Sequence, residues 1–328
     1  MPFDTADWYD RAATRDLVGH SALHVEWAAG VAADDDVVGL LDRLPRERRQ
    51  PSLIFSVATW LGAEATDYPA FRAWLVEHWP AVEAVARERR TQTNEVGRCA
   101  PLVVALARIP GPLALLEVGA AAGLCAIPER YAYRFGERPV LGAGEPLIDC
   151  VVEGADLVPD SLPDIRWQLG LDLHPLSVAD AADTGWLEAL VPLDRSDRRA
   201  RLRAALATAR DDPPRVIAGD ALHDLADAAA QAPADLTLVV VSLGTLVYLP
   251  PEARAAFPVA VAEAGARLVT LEQSGIADRP QGRVSAGRFV LALDGEAIAE
   301  ASPHGDRLTA LSVRRSAARH PGLPDAHP

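Results

Sequence analysis

Three acidic residues and two glycines carry the first chemistry legible in this chain. The stretch Pro112-Leu113-Ala114-Leu115-Leu116-Glu117-Val118-Gly119-Ala120-Ala121-Ala122-Gly123 is an apolar run that ends in an acid and then in two glycines four apart. Asp172 and Asp220 each close a later apolar run. Such a run reads as a buried parallel strand, and glycine at its end permits positive φ and lets a ligand approach the backbone without meeting a Cβ. That is a nucleotide-cofactor turn, and its glycine pattern selects the cofactor. A G-x-G-x-x-G dinucleotide fingerprint would need glycine at Ala121 and Leu124. A phosphate-cradling P-loop would need Gly-Lys-Ser/Thr, and the sequence contains no lysine. Both readings fail. An acid ending the second strand of an open α/β sheet accepts hydrogen bonds from the ribose hydroxyls, the role expected of Asp172.

A second polar group, Gln92, Asn94, Glu95 and Arg98, lies within about one turn just ahead of the first strand. Two readings stand side by side. Asn94 caps a helix whose apolar face is Val96, Cys99, Val103, Leu106 and Ile109, leaving Glu95 and Arg98 as a surface ion pair, or the four side chains contact a ligand. His304, in Pro303-His304-Gly305, is either a candidate base or a surface histidine; His174 and His223 stand beside the two cofactor acids. His20 and His24 are spaced to share a helix face but lack the further ligands a metal needs.

The elements that must position these residues divide the chain. Residues 1–110 read as helices only, with Pro69 in the first turn of one reaching about Arg90 and burying Phe71, Trp74, Leu75, Trp79, Val82 and Val85. From 111 to 315 the pattern is α/β. Pro128 cuts short the helix expected after Gly123, and Tyr131 to Phe135 and Leu147 to Val152 read as an inserted hairpin, at about 129–160. Parallel strands resume at Ile165–Asp172, Arg215–Asp220, Leu236–Ser242 and Arg267–Glu272; Phe289 to Leu293 and Leu308 to Val313 close the sheet, with 303–305 in the loop between them. Residues 316–328 are a disordered tail by composition.

Composition narrows the function. A net charge of −14 argues against a general nucleic-acid binder, and the arginines between Arg195 and Arg203 read as a solvated surface. No apolar run is long enough for a membrane span. The acidic start, lacking a secretory pattern, makes the cytoplasm the expected location, and the three scattered cysteines form neither a disulfide framework nor a zinc site.

Glu117, Gly119 and Gly123 together resemble the first motif of class I S-adenosylmethionine-dependent methyltransferases, with Ala121 where that motif has its middle glycine. The resemblance implies a Rossmann-like seven-stranded sheet, mostly parallel and antiparallel at its end. It also implies a cofactor site of Glu117, Gly119, Ala121, Gly123, Asp172, Asp220 (facing the adenine amino group) and Ser242, with Ser242 and Tyr248 flooring the site. Nearly the whole chain also resembles an actinobacterial family known as domain of unknown function 2332. That likeness rests on residues 92–99, 116–124, 170–176, 219–221 and 303–305, and the chain departs from it at Cys125, Pro128 and Ser242. The expected function is methyl transfer to a small molecule, with Gln92, Asn94 and Arg98 on the substrate, Glu95 or His304 as base and Tyr248 orienting. The alternative is a non-catalytic S-adenosylmethionine- or nucleoside-binding sensor or partner protein.

Overall fold

A computed structural model of the chain describes residues 4–154, 157–276 and 288–311. The tail expected at 316–328 lies outside the described residues. The chain opens with α1 (Thr5–Arg11), α2 (Ala22–Ala32), α3 (Asp35–Leu41), α4 (Pro51–Trp60), α5 (Tyr68–Glu88) and α6 (Cys99–Leu106). The side chain of Asp67 caps α5 through the Ala70 amide, and Pro69 sits in its first turn as expected. The core of these helices, built on Trp27, Phe55, Phe71 and Trp79, takes in Trp186 and Ala189 from α7 (Ala181–Ala189). One buried seam therefore joins the helical layer to the α/β layer.

The first strand, β1 (Leu113–Val118), is buried along its whole length and pairs in parallel with β4 (Ile165–Asp172) on one side and β6 (Thr237–Leu243) on the other. Parallel pairing on both edges explains its unbroken apolar sequence. The sheet has ten strands among the described residues, in the order β2-β3-β10-β9-β8-β7-β6-β1-β4-β5. β2 is Ala132–Phe135, β3 Leu147–Glu153, β5 Val216–Ala218, β7 Arg267–Gln273, β8 Phe289–Leu293, β9 Glu296–Ala301 and β10 Arg307–Ala310. Helix α8 (Ser196–Asp211) precedes β5, α9 (Leu225–Ala229) follows it, and α10 (Pro251–Glu263) joins β6 to β7.

The expectation of seven strands is corrected to ten, and the inserted hairpin is not one. β2 and β3 pair in parallel, and β3 pairs in parallel with β10 at the far end of the sheet. Alternating side chains identified both strands, but alternation carries no information on the direction of the partner. The extra strand β9 follows β8 through Asp294 and Gly295, both at positive φ (52° and 81°). Asp-Gly between strands is a strong short-range hairpin signal. It accounts for the strand missed between 293 and 308.

The helix expected after Gly123 is absent. Residues 119–127 run as successive turns into a short 3-10 turn at Pro128–Arg130. Asn94 does not cap a helix from its own segment either, because a 3-10 turn (Val96–Arg98) precedes α6 and Glu95 is its cap. The Asn94 Oδ1 instead accepts from the amides of Ala122 (3.2 Å) and Leu124 (3.1 Å), so a buried side chain from the helical layer holds the glycine turn.

Candidate functional site

The glycine turn leaves β1 with Gly119 at φ +74°, where an added Cβ would stand 2.2 Å from Thr245 Oγ1. Gly123, at φ +75°, packs instead against Pro214 and Val216, so it serves the fold rather than a ligand. Ala121 adopts φ +51°, the left-handed conformation that a glycine takes more readily. Its amide donates to Asp172 Oδ2 at 2.9 Å, while Asp172 Oδ1 accepts from His174 N at 2.8 Å. Left-handed strain in a non-glycine residue costs about 1–2 kcal/mol. Relief of that strain in Ala121→Gly is offset by about 0.4–1 kcal/mol of unfolded-chain entropy and by ~0.8 kcal/mol for the lost buried methyl. Chemical unfolding is therefore expected to place Ala121→Gly within about 1 kcal/mol of the parent; a larger loss would show that the Ala121 methyl is needed for packing.

Two adjoining clefts lie along the carboxyl ends of β1, β4, β5 and β6. The larger, of about 310 Å³, is lined by Gly119, Asp172, His174, Asp220 and Tyr248, and is roofed from the helical layer by Arg48, Arg90 and Gln92 among others. The smaller, of about 150 Å³, shares Gly119, Asp172, Gln92 and Tyr248 and adds Ala121, Arg98 and Gly244. Asp220 Oδ1 accepts from the amides of His223 (3.0 Å) and Leu222 (2.8 Å), which hold its carboxyl below the usual range. Tyr248 is 67% exposed at the mouth of both clefts, beside the exposed Leu173. Gln92 reaches across the larger cleft to donate to the His174 carbonyl at 2.5 Å. Arg98 Nε donates to the Pro303 carbonyl (2.9 Å) and Nη1 to the Leu243 carbonyl (2.6 Å), and its guanidinium lies over the Phe289 ring.

The structure does not bring Glu95, His304 and Tyr248 together. Glu95 is buried away from both clefts, 2.6 Å from Arg198 Nε and 3.0 Å from Arg201 Nη2, with His304 Nδ1 3.3 Å away. Burial opposes its charge, but Arg198, His304 and Arg201 outweigh that and hold the carboxyl well below its usual range. His304 Nε2 lies 2.7 Å from His20 Nδ1. His304 Nδ1 makes no hydrogen bond among the described residues, so its approach to Glu95 is a close contact only. Burial foremost lowers the pKa of both histidines, that of His20 to about 4. An ionised carboxylate held by two arginines is a poor base, and neither it nor His304 faces a cleft. The surface Glu95–Arg98 pair is likewise corrected.

Close backbone contact explains the motif glycines of this region. A Cβ on Gly97 would meet the His304 carbonyl at 2.2 Å, and one on Gly305 the Gly97 carbonyl at 2.1 Å. Residues 95–98 and 303–305 therefore cross with no room for a side chain on either. The sequence also read Arg198 as solvated, whereas it is 5% exposed. The available signal was its place at the head of the apolar stripe Leu202, Ala205, Leu206 and Ala209 on α8.

Two further expectations change. Ser242 is fully buried and lines neither cleft; its Oγ donates to Glu272 Oε1 at 2.7 Å. That same oxygen accepts from the amides of Gly244 (3.0 Å), Thr245 (2.9 Å) and Leu246 (3.1 Å), so Glu272 shapes the loop that walls the clefts. Sequence reading passed over Glu272 as a strand end. Glu117 is 3% exposed, lines neither cleft, and its Oε2 has no hydrogen-bond partner among the described residues. Burial foremost, then Cys125 and Asp172, push its carboxyl well above the usual range.

The chain matches, over residues 6–310, the family described as "Uncharacterized protein conserved in bacteria (DUF2332)". No curated protein matches it. A crystal structure described as a "putative methyltransferase from Thermobifida fusca YX" is similar at 16% identity, covering 73% of this chain and 71% of that one, with a TM-score of 0.25. A likeness that loose carries no argument. No helix among the described residues is long and apolar enough to cross a membrane.

Proposed function

We propose that this chain, which belongs to the DUF2332 family, is an S-adenosylmethionine-dependent methyltransferase acting on a small molecule. The observation that carries this reading is the position of the clefts. They open at the carboxyl ends of parallel strands, with β4 on one flank of β1 and β6 on the other, the point where strand order reverses and open α/β sheets bind their ligands.

The residues present fit that cofactor. Asp172 and Asp220 keep unused carboxylate lone pairs for ribose hydroxyls and an adenine amino group, and Gly119 lines the same cleft with Thr245 packed where its side chain would stand. Arg98, whose Nη2 has no hydrogen-bond partner among the described residues and which lines the smaller cleft, suits the carboxylate of a methionine group. The cofactor supplies a methyl on a sulfonium. When bound, it would offer that methyl to the acceptor's lone pair with the sulfur as leaving group. The protein's part is to hold the acceptor in line at near-attack distance. With Glu95 and His304 engaged elsewhere, an acceptor's proton leaves to water or to a group such as His174 that lines the cleft.

That same absence of Glu95 and His304 from the clefts favours the second reading, a protein that binds the cofactor without turning it over. Calorimetric titration with S-adenosylmethionine and S-adenosylhomocysteine tests both. Micromolar binding of either is the expected result, and failure of both ligands to bind would sink both readings.

A further inference from the structure

Many arginines of this acidic protein are paired with carboxylates, as Arg49 is with Asp42, Arg72 with Asp34 and Arg89 with Asp183. Three that are not gather around the two clefts. Arg48, Arg90 and Arg98 have no carboxylate within 4.0 Å among the described residues. Arg48 gives only Nη1 to the Arg89 carbonyl (2.7 Å), and the Arg90 side chain has no hydrogen-bond partner among the described residues. Glu47 lines the same cleft but pairs with neither arginine. Asp172 and Asp220 belong to the opposite, strand-end wall and are already bonded to backbone amides.

In a chain of net charge −14, guanidiniums with no carboxylate partner, Arg90 exposed and Arg48 half-buried, stand in one cleft where they can meet an anionic ligand group. Arg98, in the smaller cleft, answers the cofactor's own carboxylate under the reading above. Arg48 and Arg90 are then left over, both on the wall that the helical layer contributes. Resting on that reading, we infer that the methyl acceptor is an anionic small molecule whose carboxylate or phosphate is held by Arg48 and Arg90. The helical layer thereby sets acceptor specificity, while the strand ends bind the cofactor.

The test titrates inorganic phosphate, benzoate and the neutral benzamide into the full chain saturated with S-adenosylhomocysteine, at constant ionic strength. Saturable binding of phosphate or benzoate but not benzamide is expected, and whichever anion binds tighter names the acceptor's group. In the Arg48→Gln/Arg90→Gln double variant that binding should weaken by about tenfold or more, as for loss of charge-assisted hydrogen bonds. The unfolding midpoint should hold and S-adenosylhomocysteine affinity should change less than about threefold. No saturable anion binding, equal binding of benzamide, or anion binding unchanged in the double variant would overturn the inference. Should S-adenosylhomocysteine itself fail to bind, the methyltransferase reading falls alone, and the same anion titration on the ligand-free chain still decides the role of the two arginines.

Discussion

Glu95→Gln is expected to destabilise the protein by about 3–5 kcal/mol at pH 7, the usual consequence of leaving one partner of a buried ion pair behind. Arg198, 5% exposed, would lose its anion with no water to replace it, and Arg201 and His304 would lose the group they share. The effect is large because the carboxylate ties four segments together: the 95–98 turn, α8, the 303–305 loop and, through His304, His20 ahead of α2. Its sign with pH follows from the depressed pKa. A carboxyl held well below its unfolded value of about 4.5 contributes its full stabilisation above that value and loses it as pH falls through the folded pKa. Urea unfolding of parent and variant should therefore differ most at neutral pH and converge in acid. A difference under about 1 kcal/mol at pH 7, the range of an exposed pair, would show that the pair is solvated after all.

Asp172→Ala is expected to weaken S-adenosylmethionine and S-adenosylhomocysteine binding about 100-fold, as loss of two charge-assisted bonds to ribose hydroxyls requires. The same carboxylate also fixes the Ala121 amide in the glycine turn and the His174 amide at the cleft wall, so both contact and shape depend on it. Comparing two variants separates these roles from general damage. Glu95→Gln, when folded, should retain cofactor affinity because its cluster lies outside both clefts; Asp172→Ala should lose affinity at a stability cost of about 1–3 kcal/mol for the amides it leaves without an acceptor, less than that of Glu95→Gln. Calorimetry on the two proteins reads the difference. Undiminished binding in Asp172→Ala would remove the ribose role from this residue, and equal loss in both variants would show that the measured effect is loss of structure.

Glu117, Gly119, Asp172 and Asp220 were found from their positions at the ends of apolar runs, because a buried parallel strand writes itself into the sequence as an unbroken hydrophobic segment. Of these four, Gly119, Asp172 and Asp220 line a cleft, and Glu117 lies buried beneath. The polar cluster from Gln92 to Arg98 was equally visible, but not what each member does. Asn94 holds the glycine turn, Glu95 binds α8, Arg98 and Gln92 reach the clefts, and adjacent residues thus serve three different parts of the fold. Arg48 and Arg90 offered no local signal at all, one in a short 3-10 turn ahead of α4 and the other in the segment after α5, until the fold sets them over the strand ends.

What the sequence determined by itself is what local backbone chemistry dictates: the strand ends, the helical first hundred residues, the positive-φ turn at Gly119, and the exclusion of dinucleotide and P-loop chemistry. Only the tertiary structure decided that β2 and β3 run parallel across the far end of a ten-stranded sheet, and that the motif histidine His304 and Glu95 meet in a buried contact outside both clefts rather than as a catalytic pair. The reason is physical. Periodicity and glycine placement report the conformation of a segment, whereas the partner of a buried charge is set by contacts between residues far apart in the chain, as Glu95 and Arg198 are, and no local pattern encodes which of several arginines will arrive.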